Sequence, residues 1–276
     1  MKLQPGPDAA RYLLAAQGKP VARPFNVRWL LPAVCKDDPK RWTATWFASW
    51  PLLAAGSVVW ALGMGADWQA AVAAAAFLVA LPGVWGPHSV RPVGVDLPSM
   101  AVAIWAAAAF AHGQPLVGVV IACIAAGISE KAPVMVALWA WTPWALVALV
   151  VPLVANFVRR PGLDEVTAVP LLKRVHDHPI TTAMEHRRQQ GGWRNAWLMV
   201  APWGVTLAAL LDPSPWLIAA MVVAYAQLLV ATDVVRLYQA VAGPVACLAA
   251  AGVIPTQWLL LAVVVHVVWW RPPVTA

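Results

Sequence analysis

Charge is what this sequence has least of. Only 11% of its 276 residues are Asp, Glu, Lys or Arg, against roughly a quarter in a soluble domain. Hydrophobic residues make up 61%, and the mean hydropathy is +0.69. Such a chain lacks the polar surface to coat itself in water, which excludes an ordinary soluble protein. Cysteine is scarce as well: Cys35, Cys123 and Cys247 lie far apart with no CxxC spacing, so neither a disulfide framework nor a zinc ribbon is implied. No P-loop, GxSxG, HExxH or GxGxxG motif occurs in a fitting context. No recognition motif accompanies the basic residues, so nucleic acid is not an expected partner. There is no tandem repeat and no low-complexity tail. Met1 to Pro20 has no continuous apolar stretch of the signal-peptide kind, so insertion is expected to start with a helix near Trp42.

What is present is apolar and long. Uncharged runs cover 42–66, 68–90, 97–129, 132–158, 195–211, 213–232 and 237–270, and about 20 apolar residues suffice to cross a bilayer core. Five of the runs suit one crossing each. The two longest can each hold two short helices, folded back at His112–Pro115 and Gly252–Pro255. The expected fold class is therefore all-α, a polytopic transmembrane bundle of 7–9 helices with an N-terminal interfacial segment, multi-pass in a bacterial-type plasma membrane. The runs near 44–64 and 69–85 read as an antiparallel hairpin joined at Gly65–Trp68. Of eighteen tryptophans, Trp42, Trp46, Trp50, Trp60, Trp85, Trp193, Trp197, Trp269 and Trp270 fall near predicted helix ends. Tryptophan favours the membrane interface, so these read as anchors.

The few charges are clustered. Residues 1–43 hold eight Lys/Arg against three acids, and 159–195 hold seven against four. Elsewhere only Arg91, Lys131, Arg236 and Arg271 remain. The net +7 thus sits in two basic aqueous segments on a nearly uncharged body, an arrangement that fits the positive-inside rule and affinity for membrane lipid headgroups. An even number of crossings between the segments puts both on one side, an odd number on opposite sides, and the sequence leaves the parity open. Four regions result: an amphipathic platform over 1–41, a first helical block over 42–158, a basic loop over 159–195 and a second helical block over 196–276. Within the platform, residues 8–18 read as a short amphipathic helix and Phe25 to Val34 as a second, both interfacial. Cys35, just after them, offers itself as a labelling reporter of sidedness.

Several charged groups have both a local and a functional reading. His176, Asp177 and His178 with Glu185 and His186 form the most metal-like cluster. Histidines two apart do not share a helix face, so a site needs loop geometry, and a solvated polar face is the plainer reading. Asp96 is placed to cap the helix after it. Glu130 and Lys131 fit a local ion pair at a helix junction, and Asp233 and Arg236, three apart, an internal pair on a helix. As a set they stand out, because polar residues kept in a body this apolar often line a cavity or pathway.

One stretch carries a resemblance. Asp8…Tyr12-Leu13…Gly18…Pro24-Phe25-Asn26-Val27-Arg28-Trp29-Leu30-Leu31-Pro32 resembles the first external loop of the polytopic GT-C type glycosyltransferases. Val95-Asp96-Leu97, Ser129-Glu130-Lys131 and Asp233-Val-Val-Arg236-Leu-Tyr238 are similar in kind and order to later pieces of that family. The family pattern has a membrane helix before the acid loop, so the resemblance implies a chain truncated at its N-terminus. It also implies sugar transfer from a polyprenyl-phosphate-linked donor on the outer leaflet to an acceptor hydroxyl. Asp8 would be the general base, with Asp96 a second acid orienting acceptor or a divalent cation. Arg28 and Arg236 would face donor phosphate, and Tyr12, Glu130, Lys131 and Asp233 would complete the substrate site. The rival reading is a non-catalytic membrane scaffold or partner-binding subunit that holds anionic lipid or a membrane-protein partner. A solute transporter fits less well, for no inverted repeat or paired broken helices stand out.

Overall fold

The structure, a computed structural model, describes residues 8–21, 24–88, 92–159, 181, 184–185, 188, 200–227 and 234–269. The described residues are predominantly helical and contain no strand. In chain order the helices are α1 (Ala9–Ala16), α2 (Leu30–Cys35), α3 (Pro39–Gly63), α4 (Trp68–Ala80), α5 (Pro82–His88), α6 (Asp96–Ala111), α7 (Pro115–Ile128), α8 (Ala132–Trp139) and α9 (Val150–Val158). A 3-10 segment, Pro143–Leu149, leads into α9. A second, Ala201–Leu211, precedes α10 (Pro215–Ala226), α11 (Val234–Val253) and α12 (Thr256–Trp269).

Local chemistry sets the starts. Asp38 accepts a hydrogen bond from Lys40 N at 2.9 Å with Pro39 at the first helical position, and Asp67 accepts from Ala70 N at 2.9 Å. Both are N-caps satisfying donors that the first turn leaves open. The reversals at His112–Gln114 and Ile254–Pro255 fall where glycine and proline place them. Other boundaries differ. The second platform helix begins only at Leu30, because Pro24–Val27 forms a turn closed by Val27 N to Pro24 O at 3.2 Å. Asp96 does not cap α6 but is its first residue, following Val95.

By length and composition one described helix, α3, can cross a membrane: it has 25 residues and a mean hydropathy of 1.3 over its best window. The other apolar helices are 10–17 residues long in their apolar parts, shorter than the uncharged runs they come from. Pro133, Pro143, Pro215 and Pro255 start new segments or precede them, and proline cannot continue a helix ladder.

The chain divides into two compact units, residues 1–64 with 88–169 and residues 65–87 with 170–276. In the first, α3 packs along α6. Gly56 lies against Ile104 and Trp105, and Gly63 against Ala111 and His112, so closely that a Cβ at either would come within 3.0 Å. Seven residues apart, these glycines share one face, and small residues on a face let helices approach. Trp105 Nε1 donates to Leu52 O at 3.0 Å, and the His112 ring bonds Val59 O at 3.0 Å. Early pairs with early and late with late, so α3 and α6 run parallel. The two helices of the expected hairpin fall in different units: α3 pairs with α6 in the first, and α4 packs on α11 and α12 in the second.

From α6 the chain turns at Gly113, whose φ of +70° suits glycine, which has no Cβ to clash there. Helix α7 then runs back, with Gly118 against the Phe110 ring and Ile128 reaching the platform. α8 leaves again until the Trp139 carbonyl, which accepts from Trp60 Nε1 at 3.2 Å. The 3-10 segment and α9 come back to Arg159, whose carbonyl accepts from Asn26 Nδ2 at 2.9 Å and whose guanidinium lies over the Trp29 ring at 5.6 Å. One end of this unit therefore gathers the platform, Val93–Asp96, Ile128–Lys131 and Arg159, and the other gathers Met64, His112–Gln114 and Ala140–Thr142. The platform and the start of the basic segment share an end.

That end has its own core, in which Tyr12, Phe25, Cys35, Trp42, Val95 and Ile128 are buried together. Trp42, Trp46 and Trp60 are buried within the protein. Trp42 Nε1 donates to Lys36 O at 2.8 Å, which lets its ring leave water with its N–H satisfied. Trp85, Trp141, Trp144 and Trp258 are exposed. In the second unit, Gln239 accepts from Gly83 N at 2.6 Å, Trp203 Nε1 donates to the Tyr225 hydroxyl at 3.0 Å, and Tyr225 stacks on Tyr238.

Candidate functional site

The platform core closes around one charge cluster. Arg28, only 7% exposed, donates from Nε to Glu130 Oε2 at 2.7 Å and from Nη2 to Glu130 Oε1 at 2.7 Å. From Nη1 it donates to the Tyr12 hydroxyl at 2.9 Å. The planar guanidinium meets the carboxylate edge to edge, the paired geometry arginine makes and lysine cannot. Phe25 packs beside it, with Arg28 5.5 Å and Arg11 4.9 Å from its ring centroid. Tyr12 meets Phe25 edge-on at 5.3 Å. Each cation thus lies against a ring in addition to its acid.

Local structure aims these groups. Tyr12 is on the inner face of α1 beside buried Ala9. The turn at Pro24–Val27 swings Phe25 and Arg28 inward, and Asn26 fixes it to Arg159. Glu130 comes from the short junction between α7 and α8. The sequence offers its neighbour Lys131 as partner, and Glu130 does feel that charge; the structure also gives its carboxylate to Arg28, across 102 residues of sequence.

The electrostatics follow from burial and pairing. Burial pushes the Glu130 carboxyl up, but the Arg28 charge and its hydrogen bonds outweigh this and hold it below the usual value. Burial pulls the Arg28 guanidinium down, while Glu130, Tyr12 and Asp96 more than offset it, so Arg28 stays charged. Tyr12 is driven upward chiefly by burial, against the lowering effect of Arg28, and remains a neutral phenol. The charge of Asp96 is felt by both Tyr12 and Arg28. Asp8 is set slightly apart: its Oδ1 pairs with Arg11 Nη1 at 3.2 Å on the partly exposed side of α1.

Of the residues singled out from sequence, Asp8, Tyr12, Arg28, Asp96, Glu130 and Lys131 therefore gather at one end of the first unit. Arg236 is in the first turn of α11 in the second unit, its side chain outside the described set, and Asp233 lies outside the described residues. So do His176, Asp177, His178 and His186. Among the described residues no group of three or more His, Cys, Asp or Glu gathers as metal ligands. Sequence reasoning missed Asn26 and Trp42 as fixing residues. Asn26 carried one faint signal, an amide between Phe25 and Val27 where an apolar turn would not need one.

Comparison with known protein families, curated proteins and solved structures finds no match to this chain.

Proposed function

We propose that this chain is a multi-pass membrane protein of a bacterial-type plasma membrane, with its platform acting as a non-catalytic scaffold for lipid or a membrane-protein partner. The multi-pass reading is supported by the apolar faces left uncovered: Leu116, Phe157, Val158, Leu211, Val264 and Val268 are all exposed. Exposed apolar side chains recurring along helices in this way suit lipid. Helices of 10–17 apolar residues cross with local thinning or as interrupted pairs.

The scaffold reading is carried by one observation, the buried pairing of Arg28 with Glu130. A guanidinium neutralised by a carboxylate and enclosed by Tyr12 and Phe25 presents little net field to a phosphate. What the pair does is pin the turn of the platform to the α7–α8 junction. Removing either partner would leave a buried charge alone, which is costly.

A second reading, the GT-C type glycosyltransferase, is favoured by a different observation. Tyr12, Arg28, Asp96 and Glu130 come from three separate pieces of the resemblance and gather at one end of one unit. In that reading Asp8, on the partly exposed side, takes the acceptor proton with Arg11 beside it. Arg28 is then a positioning residue, and donor phosphate falls to other cations, Arg236 among them. A divalent cation would sit with Asp96.

Donor consumption separates the two. Full-length protein, reconstituted with polyprenyl-phosphate-linked sugars, is expected to release no more polyprenyl phosphate than its Asp8→Asn variant. Release that the wild type shows and Asp8→Asn abolishes would overturn the scaffold reading in favour of the transferase.

A further inference from the structure

The path of the first unit sorts its cations. The described Lys and Arg residues of that unit are Arg11, Lys19, Arg28, Lys36, Lys40, Arg41, Lys131 and Arg159. All of them lie in the platform, at the start of α3, beside Glu130 or against Trp29, hence at one end. The opposite end, formed by Met64, His112–Gln114 and Ala140–Thr142, has no Lys or Arg. Arg159 lies at the platform end itself, against Asn26 and Trp29.

The exposed members form a rim with apolar neighbours. Lys36, Lys40 and Arg41 surround the α2–α3 corner beside Val34, which is 56% exposed, and Arg159 follows Phe157 and Val158 at the end of α9. Arg41 also reaches Val34 O at 3.3 Å and Asp38 at 3.5 Å, so its stem lies along the corner. Exposed apolar groups directly beside cations are the chemistry of a headgroup boundary, where apolar atoms enter the acyl region and charge stays at phosphate level. Asp37 and Asp38 are the acids that face the corner, and Asp38 is engaged by the Lys40 amide and by Arg41.

We infer that the platform end is the cytoplasmic face of the membrane and that the rim of Lys36, Lys40, Arg41 and Arg159 docks anionic phospholipid headgroups of the inner leaflet. Excess Lys and Arg in short loops marks the cytoplasmic side, and that leaflet's surface potential attracts cations within a Debye length. The inference rests on the membrane reading above and names the lipid that the scaffold holds.

The test is thermal unfolding of the full-length protein in neutral detergent, with added phosphatidylglycerol, phosphatidylcholine or inorganic phosphate. Phosphatidylglycerol is expected to raise Tm at low salt, and 0.5 M NaCl to shrink that shift. Lys36→Gln/Lys40→Gln/Arg41→Gln should lose it, while the charge-keeping Lys36→Arg/Lys40→Arg should retain it. Equal shifts from both lipids, or a shift that survives in the triple variant, would overturn the rim. A shift produced equally by inorganic phosphate would assign the site to a free anion and overturn the lipid assignment. None of these failures touches the non-catalytic reading, which falls only to Asp8-dependent donor consumption.

Discussion

Arg28 shows how far in sequence a buried residue's partner can lie. Its rarity in an apolar context and its place in the motif marked it, but a marked arginine reads first as a ligand for phosphate. The partner that the structure gives it, Glu130, is 102 residues away, and no local spacing rule reaches that far. Glu130 was likewise visible as a charge between apolar runs, and the only neighbour that sequence could offer was Lys131. The pair predicts its own energetics. Arg28→Met or Glu130→Gln alone should lower stability by about 3–5 kcal/mol, because each strands the other charge, whereas the double variant Arg28→Met/Glu130→Leu should recover most of the loss. Reversible unfolding in mixed micelles measures all three. A near-additive double variant would mean that the two groups do not act together.

Acid should act on the same pair. Glu130 is held below the usual carboxylate value, so the folded state keeps it ionised at a pH where the unfolded chain takes up a proton. Its contribution is complete above the ordinary glutamate pKa of about 4.3 and declines as the pH falls below that. Proteolysis of the platform should therefore accelerate on acidification from pH 5 to pH 3, and by less in Glu130→Gln. Equal acid sensitivity in the two proteins would assign the effect to other carboxylates.

Among the elements, helix positions were largely legible, since helix breakers and uncharged runs mark them: α1, α3, α6, α7 and α12 fall where expected. Pairings were not. No sequence pattern announces that α3 takes α6 as its partner in the first unit, where its glycines fit. Hydropathy likewise cannot separate an exposed ring from one packed inside a helical unit; Trp42, Trp46 and Trp60 are inside. The α3–α6 seam predicts that Gly56→Val costs about 1–3 kcal/mol through overpacking, as a Cβ there meets Ile104 Cγ2 at 2.6 Å. Gly94→Ala, where a Cβ meets nothing within 4 Å, should change stability little. Similar losses for both would contradict the close approach.

For the whole molecule, the scarcity of charge carried the most information. It pointed to an apolar, helical chain, and the described residues form helices and no strand. The distribution of charge posed a parity question that only a path through space could answer. With the path known, the platform and the start of the basic segment share one end of the first unit, and the Lys and Arg residues collect there. Cys35, the natural reporter in sequence, is 0% exposed and would stay silent in either orientation. Asp37, two residues on, is exposed, and so is Gln114 at the opposite end.

The most direct measurement is therefore labelling of Asp37→Cys and, separately, Gln114→Cys with a membrane-impermeant maleimide, with Cys35, Cys123 and Cys247 changed to serine. Position 37 is expected to react only after cells are permeabilised, and position 114 in intact cells. Reaction of position 37 in intact cells would put Asp8 and Arg28 on the outer face and would contradict the cytoplasmic assignment of the platform.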